Sequence, residues 1–463
     1  MSMGAFTSKH PLAGKRVVVL AGPTAVGKSA LALRLCELLQ GELISVDSVQ
    51  VYRNLEIGAN KPSAAEQARV RHHLIDLHDP MEEYTAGAFY RDALNAVEDV
   101  LSRGRLPVLC GGTSMYLRWL TRGRPDAPKA DPVVEERVRG ILAPHEAASD
   151  WPAGLARLEE INPSRAAQLS KNDWYRLHRA LTVALQTDGP IAAAKQPSDL
   201  DGLDELRDAL DMRCFFLCAP RELLCRRIDE RCEAMLQKGL LEETRDNLLA
   251  GQLLPSSPAG RAIGYRQALA YLTKPSWIRQ DAGAIGEFVR DFTAVSRRYA
   301  GQQTKWFRSE PSFEWVAADW DVPEAVERLV VDRIQIDRPA FDLGLTSTRQ
   351  AELRAHEPAI EKAMRTYQPK LPATIDNPDA LEALLERADA CREGLEPRLS
   401  ELLVADDALA QRFPYHRRET EYGAGGGGKE EPDGGASSPA GTGGAAAEEQ
   451  TAKRAKGQQE RSD

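Results

Sequence analysis

The chain has 463 residues, of which 42% are hydrophobic, and its formal net charge is −9. This length is enough for two or three domains, and the hydrophobic share is enough for a globular core. The acidic balance excludes a protein that binds nucleic acid through overall positive charge, so any such surface must be local. No apolar run is long enough to span a bilayer, and we expect no membrane partner.

The cysteines show no metal-binding spacing, since no Cys-x-x-Cys pair occurs. We interpret the seven cysteines as small buried hydrophobes and reduced thiols of an intracellular, cytoplasmic protein. Residues 1–16 carry Lys9, Lys15 and Arg16 but no acid, which is also typical of an organellar presequence. Because the first strand is predicted to begin at Val17, we favour a short disordered leader.

A glycine-rich loop is predicted between the first strand and the first helix. The apolar run Val17–Leu20 is followed by G-x-x-x-x-G-K-S and then by a helical pattern. Amides in such a loop turn toward an anion, and the helix dipole favours negative charge there. The lysine would reach phosphate oxygens, and the serine hydroxyl would ligate Mg²⁺. We predict a phosphate or pyrophosphate site, with an ordinary glycine turn as the alternative, formed by Gly22, Pro23, Thr24, Ala25, Val26, Gly27, Lys28 and Ser29.

Polar residues follow two further predicted strands. A strand over 42–46 ends at Asp47, and a strand from residue 106 runs through a glycine pair to Thr113. Residues just beyond the carboxyl ends of parallel strands face the ligand crevice, so both side chains should lie beside the phosphate loop. A carboxylate there could take a proton or orient a nucleophile. The alternative is an aspartate that only caps a helix or a turn.

The segment 72–79 combines three histidines with two aspartates. A metal site is one interpretation of that mixture. However, Leu74, Ile75 and Leu77 favour a short strand that leads into a loop. We therefore expect structural polar residues here, followed by an amphipathic helix over 84–101.

From residue 124 to residue 205 the pattern becomes helical and polar, with little strand signal. We predict a helical insertion in the phosphate-binding domain. Within it, Arg176 and Arg179 lie three residues apart on one face of a predicted helix. Asp173 or the asparagine before it is the predicted N-cap of that helix. Together with Tyr175, the two arginines form either a solvated surface or a surface that contacts an RNA backbone.

Later segments return to the sheet and then add further cations. A strand is predicted over 213–218, followed by an arginine-rich helix. The glycine-flexed turn after it carries Arg261 and Arg266, and an arginine here could clamp a diphosphate through two parallel hydrogen bonds. The segment 299–308 mixes aromatic, amide and cationic side chains, a combination that grips single-stranded RNA. Its candidate residues are Gln303, Trp306 and Arg308.

These elements predict an α/β fold, a P-loop NTPase-like parallel sheet flanked by helices, with a helical insertion and a C-terminal helical appendage. The appendage includes a helix predicted to begin at Asn377 with one apolar stripe. The Gly/Ala/Ser/Glu-rich end cannot bury a core, so we predict disorder there. We divide the chain into a leader (1–16), a catalytic domain (17–123 and 206–331), an RNA-binding insertion (124–205), an appendage of unknown role (332–418) and a tail (419–463).

The ordered set of motifs resembles the tRNA dimethylallyltransferase family, also called tRNA isopentenyltransferases. The resemblance runs from about residue 15 to residue 308, roughly two thirds of the chain. Each motif alone is moderately specific, and the ordered set is highly specific. The matching stretches are GPTAVGKSALAL, ISVDSVQVYRNLEIGANKP, HHLIDLHDP with EEYTAGAF, PVLCGGTSMYL, INP with ND and RLHRAL, RAIGYRQ, and QTKWFR.

The resemblance implies transfer of a dimethylallyl group from dimethylallyl diphosphate to the exocyclic amine of the adenosine immediately 3′ of a tRNA anticodon. It implies that the phosphate loop cradles this diphosphate rather than ATP, with Mg²⁺ as cofactor. It makes Asp47 the general base, Thr113 a lining residue of the reaction channel and Arg266 the diphosphate clamp. The anticodon stem-loop would contact Asp47, Ser48, Val49, Gln50, Tyr175, Arg176, Arg179, Arg261, Gln303, Trp306 and Arg308. We expect a monomer.

Three features depart from the family pattern. Gly301 and Gln302 stand where basic residues are usual, Asn60 stands where threonine is usual, and no C-terminal zinc-finger spacing occurs. Two alternatives remain from other activity classes: an adenylate isopentenyltransferase that makes free cytokinin, and a small-molecule P-loop kinase. Some relatives are mitochondrial or plastid proteins, which keeps those compartments open.

Overall fold

The computed structural model describes residues 12, 14–124, 130–187, 201–274, 281–355 and 367–405. Most of the predicted leader and all of the predicted tail lie outside these residues.

Within the described residues, six strands form one parallel sheet. The strands are β1 (Arg16–Ala21), β2 (Gly41–Val46), β3 (His72–His73), β4 (Leu106–Gly111), β5 (Asp211–Cys218) and β6 (Phe313–Ala317). Their order across the sheet is β3–β2–β4–β1–β5–β6, and every neighbouring pair is parallel. Continuous apolar runs such as Val17–Leu20 are fully buried, as a sheet covered on both faces requires. The predicted α/β fold is confirmed.

Helices connect and flank these strands. They are α1 (Lys28–Leu39), α2 (Ala64–Arg69), α3 (Ala86–Ser102), α4 (Ser114–Arg122), α5 (Pro132–Ala147), α6 (Trp151–Ile161), α7 (Pro163–Ala166), α8 (Trp174–Gln186), α9 (Asp201–Ala209), α10 (Arg221–Lys238), α11 (Leu240–Leu249), α12 (Tyr265–Leu272), α13 (Ala282–Phe307), α14 (Pro323–Gln335), α15 (Arg338–Leu345), α16 (Thr348–Arg354) and α17 (Pro378–Ala405). Helices α1 and α3 both pack on β2 and β4. Side-chain caps begin several of them, including Thr85 for α3 and Asp173 for α8.

The strand predicted over residues 74–77 is wrong. β3 ends at His73, because Leu74 and Asp76 adopt φ values of 62° and 57°, which break an extended chain. The histidines bind neighbouring groups instead: His73 lies 2.7 Å from a Glu42 carboxylate oxygen. No cluster of three or more metal-binding side chains occurs in the part of the chain that the structure describes.

The segment between β4 and β5 has its own hydrophobic cluster. Helices α5 to α8 bury a set of apolar side chains separately from the main core, and Trp151 and Trp174 meet edge to face at 5.2 Å. The members of the cluster include Val138, Leu142, Leu158, Ala166, Leu177 and Leu181. The prediction of helices is confirmed for residues 132–186, and residues 188–200 lie outside the described ranges.

The structure contains further elements after the last strand that the sequence predicted. Strand β6 was not predicted from the sequence, and it pairs with β5 at the edge of the sheet. Further on, α17 packs on α11, α12 and α13 through buried Leu384, Ala388, Cys391 and Leu395. The predicted helix after Asn377, with its apolar stripe, is therefore confirmed.

The cysteines form no disulfide bonds. All seven cysteines are free, with six buried and Cys218 half-buried, as expected for small apolar side chains.

Of the helices that the structure describes, none combines the length and the apolar character that crossing a bilayer requires.

Candidate active site

The loop between β1 and α1 has the backbone geometry of an anion cradle. Gly27 has φ 104° and lies directly before α1, a conformation that side chains disfavour. Gly22 must lack a side chain for a different reason, since a Cβ there would come within 2.8 Å of the Leu217 carbonyl oxygen. The amides at this helix N-terminus have no side-chain cap, which leaves them for an anion.

Three parallel strands bring the other polar residues to this loop. β2, β4 and β1 are adjacent in the sheet, and Asp47, Thr113 and the phosphate loop each follow the carboxyl end of one of them. These ends lie along one edge, as expected for an α/β sheet. The structure therefore brings Asp47 and Thr113 to the same sheet edge as the glycine-rich loop, as the sequence predicts.

Two cavities meet at this edge. The larger has a volume of about 460 Å³, and Tyr52, Tyr84 and Phe292 give it aromatic walls. The smaller, of about 140 Å³, is lined by Lys28 and Ser29 of the phosphate loop. Residues that line both cavities mark their junction: Thr24, Asp47, Ala59, Arg231 and Tyr299. The site thus has a small cationic end and a large, partly aromatic end with one carboxylate between them.

Asp47 is held by its own turn. Its Oδ1 accepts hydrogen bonds from the amides of Val49 at 2.8 Å and Gln50 at 3.3 Å. The side chain is half-buried and lines both cavities. These bonds fix the direction of the carboxylate and leave Oδ2 without a partner among the hydrogen bonds that the described residues make. Such an oriented oxygen can accept a proton from a group bound in the larger cavity.

Lys28, Arg231 and Lys61 line the smaller cavity, and Lys61 is paired with the carboxylates of Glu56 and Asp76. Burial, opposed by Cys110 and Asp47 and assisted by the nearby charge of Arg231, lowers the pKa of Lys28 to about 8. Lys28 Nζ donates to the Pro23 carbonyl at 2.8 Å, within its own loop. Burial also lowers the pKa of Arg231, whose guanidinium donates to the Thr24 hydroxyl. An anion in this cavity would favour the charged forms of both groups.

The structure does not bring Arg266 to the phosphate loop. Arg266 is exposed on α12 and lines neither cavity, whereas Arg231 lines both. The other arginine of the predicted turn, Arg261, lines the larger cavity. The GYRQ turn points Tyr265 inward to bond with Glu243, so the next residue in the helix faces outward. Arg231 therefore replaces Arg266 as our candidate for the diphosphate clamp.

Two glutamines singled out as RNA contacts have internal roles. Gln303 is only 4% exposed, accepts from the Thr24 amide at 2.9 Å and donates to the Gly112 carbonyl at 2.9 Å. It therefore ties the phosphate loop to the turn after β4. Gln50 accepts from the Ser45 hydroxyl at 2.7 Å and donates to the Asn60 carbonyl at 3.0 Å. Both amides stabilise the site from within, which short-range sequence patterns do not reveal.

The sequence singled out neither Arg231 nor Tyr299 as a site residue, although Tyr299 begins the segment 299–308 that was predicted to contact RNA. Tyr299 lines both cavities, and burial together with the Asp47 charge raises its pKa, so the hydroxyl stays protonated as a hydrogen-bond donor. Both residues sit inside long helices, α10 and α13, where nothing in a helical pattern distinguishes a site-facing cation or phenol. The density of arginines on α10 was the one available signal for Arg231.

The remaining RNA candidates are spread over the surface. Ser48 and Val49 line the larger cavity. Tyr175 is 84% exposed, and Arg176 is exposed with an ion pair to Asp173 at 3.3 Å. Half-buried side chains complete the set: Arg179, Trp306 and Arg308. Arg118 stacks over Trp306 with its guanidinium carbon 5.6 Å from the ring centroid.

The fold and this site define a P-loop-like α/β protein with a candidate phosphate site at the carboxyl edge of its sheet. The family model described as IPP transferase matches residues 50–310, more than half of the chain. The chain belongs to this family of prenyltransferases, and the resemblance given by its motifs is confirmed.

Individual relatives agree with that assignment. A tRNA dimethylallyltransferase 9 of Arabidopsis thaliana is 35% identical over 82% of this chain and 87% of its own length. A tRNA dimethylallyltransferase 1 of Trichlorobacter lovleyi is 41% identical over 65% of this chain and 93% of its own. A solved structure, described as a eukaryotic dimethylallyltransferase acting on tRNA, has 25% identity and a TM-score of 0.55, and covers 72% of this chain and 84% of its own.

Proposed function

We propose that this protein transfers a dimethylallyl group from dimethylallyl diphosphate to the exocyclic amine of the adenosine 3′ of a tRNA anticodon, releasing diphosphate. The observation that carries the proposal is the junction of the two cavities at Asp47. The cationic cavity suits a diphosphate, and the larger aromatic cavity suits an adenine ring. The names of the relatives support the same substrates.

The smaller cavity would stabilise the leaving group. As the bond between the allylic carbon and the diphosphate oxygen breaks, negative charge develops on the diphosphate oxygens. Lys28, Arg231 and the loop amides line the place where that charge would form. Fixed donors of this kind are the largest expected contribution to the rate, because they need no reorganisation during the reaction.

Asp47 would accept the proton of the attacking amine. An adenine amine is a poor nucleophile, since its lone pair is delocalised into the ring. A fixed carboxylate oxygen that takes the proton as the new C–N bond forms offsets this weakness. Thr113 and Tyr299 line the same cavity as Asp47 and can hold its carboxylate in position. The adenine must leave the anticodon-loop stack to enter, which costs a few kcal/mol.

The residues present fit Mg²⁺ bound chiefly through the substrate. Ser29 supplies a hydroxyl oxygen, a donor of the type Mg²⁺ prefers, and it lines the smaller cavity. The described residues hold no cluster of three or more metal-binding side chains, so the ion would keep diphosphate and water oxygens as its other ligands. When bound, it would neutralise charge on the departing diphosphate.

The helical insertion would hold the anticodon stem-loop. Tyr175 and Arg176 are exposed on α8, and Ser48, Val49 and Arg261 line the larger cavity where the base would enter. We propose a monomer that works in the cytoplasm, with a mitochondrion or plastid as the alternative compartment. Light scattering and cell imaging of a tagged chain would test these two points.

One labelling experiment tests the proposed activity. The protein is incubated with Mg²⁺ and dimethylallyl diphosphate labelled in its allyl group, together with either unmodified tRNA or AMP. We expect label in the tRNA, at the adenosine 3′ of the anticodon, and none in AMP. Label in AMP alone would identify an adenylate isopentenyltransferase, and ATP turnover without RNA would identify a kinase.

A further inference from the structure

The segment 367–405, here called the C-terminal strap, contacts the helix that carries Arg231. It lies beyond residue 310, where the match to the family model ends. α10 lies between the strap and the two cavities, and its residues divide into two adjacent faces.

One face of α10 forms a wall of the active site. Ile228, Arg231, Cys232 and Met235 follow the spacing of one helical stripe, and all four line the larger cavity. One turn earlier, Arg227 Nε donates to the Ala25 carbonyl of the phosphate loop at 3.3 Å. A shift of α10 along its axis would therefore move the arginine that bonds Thr24.

The adjacent face carries two buried carboxylates that meet the strap. Asp229 is 1% exposed, and its Oδ2 accepts from the Tyr367 hydroxyl at 2.8 Å. Glu233 is 2% exposed and accepts from the Thr374 hydroxyl at 2.7 Å and the Ala373 amide at 3.1 Å. Burial raises the pKa of both carboxyls, while these hydrogen bonds favour their charged forms.

The strap also binds the C-terminal end of α10. Arg387 donates to the Leu236 carbonyl at 3.2 Å and to the Gln237 carbonyl at 3.3 Å. Gln237 Nε2 in turn donates to the Ala373 carbonyl at 3.0 Å. A cation on the last carbonyls of a helix is favourable because the helix dipole is negative there.

We propose that the C-terminal strap is a positioning element that sets the axial position of α10, and through Arg231 sets the affinity of the active site for a diphosphate. The inference rests on the proposed function for the identity of that diphosphate. Hydrogen bonds along α10 and at its end resist both sliding and rotation. The residues of the strap that carry this role are Tyr367, Thr374 and Arg387.

The test removes these hydrogen bonds and measures diphosphate binding directly. In the full chain, Tyr367→Phe combined with Thr374→Val deletes the two hydroxyls while keeping the size of both side chains. We expect the affinity for dimethylallyl diphosphate, measured by calorimetry with Mg²⁺, to fall about 2- to 30-fold. In the transfer assay, the KM for the diphosphate should rise more than kcat falls, and tRNA affinity should not change.

A matched control separates positioning from stability. Tyr90→Phe with Thr346→Val deletes the same two groups away from the strap and from both cavities; the Tyr90 hydroxyl donates to the buried Asp204 carboxylate at 2.6 Å, and the Thr346 hydroxyl donates to the Leu343 carbonyl of its own turn. This control should bind the diphosphate as the unaltered protein does. If the strap variant loses thermal stability but keeps its affinity at a temperature where it is folded, the proposal is overturned.

A double-mutant cycle tests the route through Arg231. If the strap acts through this side chain, the strap variant should lose little further affinity in an Arg231→Ala background. Fully additive losses would overturn the proposed route. Should the double variant not fold, Arg387→Met removes the hydrogen bonds at the end of α10, and unchanged affinity in that variant would contradict the proposal.

The binding readout also keeps the two proposals apart. A protein that binds dimethylallyl diphosphate but labels no tRNA would refute the proposed function, and the effect of the strap on binding would still be measured.

Discussion

At the scale of single residues, the site depends on where each charge is held rather than on how many charges are present. Asp47 is directed by two amides of its own turn, and Arg231 is directed by the Thr24 hydroxyl. Arg266, which belongs to a prominent sequence motif, is exposed and lines neither cavity. The residue-scale predictions follow from these placements.

Replacing the carboxylate should stop the chemistry and spare binding. Asp47→Ala or Asp47→Asn removes the proton acceptor, and we expect single-turnover transfer to bound tRNA to slow by about 10²- to 10⁴-fold. Asp79→Asn is the matched control, because Asp79 makes a similar turn through the Met81 amide outside both cavities. Near-normal transfer by the Asp47 variants would rule out this role.

The two arginines should differ sharply. Arg231→Ala should raise the KM for dimethylallyl diphosphate roughly 10- to 100-fold, since it removes a hydrogen bond between charged groups. Arg266→Ala should change the KM little, as should Arg226→Ala, which removes an exposed arginine from the same helix as Arg231. A large effect of Arg266→Ala with none of Arg231→Ala would restore the sequence-based choice.

Diphosphate affinity should depend on pH through Lys28. The pKa of Lys28 is lowered to about 8 by burial, so the free protein loses this charge as pH rises through that value. A bound diphosphate favours the ammonium form, so binding above that pH takes up a proton. Affinity should be flat below about pH 8 and fall by up to about tenfold per pH unit above it.

Calorimetry of dimethylallyl diphosphate across that pH range measures the effect. Lys28→Arg is the control, since a guanidinium stays charged throughout. An affinity of the unaltered protein that stays constant well above pH 8 would contradict the assignment of this proton to Lys28.

At the scale of elements, the proposed RNA-binding surface and the proposed diphosphate site belong to different parts of the fold. The helices α5 to α8 pack around their own hydrophobic cluster, whereas the proposed diphosphate site lies at the carboxyl edge of the sheet. A change on the exposed side of α8 can therefore alter RNA binding without altering the diphosphate site.

Arg176→Ala with Arg179→Ala should weaken tRNA binding and flatten its salt dependence. Each RNA phosphate that no longer meets an arginine should reduce the slope of log affinity against log salt by close to one unit. Binding of dimethylallyl diphosphate should not change. Arg139→Ala with Arg157→Ala is the control, because these arginines pair with exposed glutamates on α5 and α6. An unchanged salt slope in the α8 variant would exclude it from the RNA surface.

At the scale of the whole molecule, the chain has more packed structure than the family match covers. The C-terminal strap packs on α10 and α11, well beyond residue 310. The composition of the residues beyond it changes to glycine, alanine, serine and mixed charge.

Removal of the residues after Arg418 should leave transfer to tRNA unchanged, because that stretch has almost no apolar side chains with which to pack. The measurement compares kcat/KM for tRNA in the truncated and full-length proteins. A large fall would show that the tail contacts RNA or the catalytic core. A cut that also removes the strap should lower diphosphate affinity, and this comparison separates the two segments.

The sequence alone determined those features whose causes are local. The G-x-x-x-x-G-K-S loop, the buried apolar runs of β1, β2, β4 and β5 and the polar residues at their ends follow from short-range geometry, so Asp47, Thr113 and the phosphate loop could be predicted together. The ordered motifs also identified the family. The strand predicted over 74–77 does not form, although its pattern is apolar. Leu74 and Asp76 have positive φ values, which are incompatible with an extended backbone.

Tertiary structure decided the contacts between residues far apart in the chain. The pairing of Arg231 with Thr24, and of Gln303 with Thr24 and Gly112, joins helices to a loop about 200 residues or more away. The hydrogen bonds from the strap to α10 join residues 138 and 141 positions apart. A helical pattern specifies which face of a helix is apolar, but the packing of helices around the sheet decides which side chains reach the site.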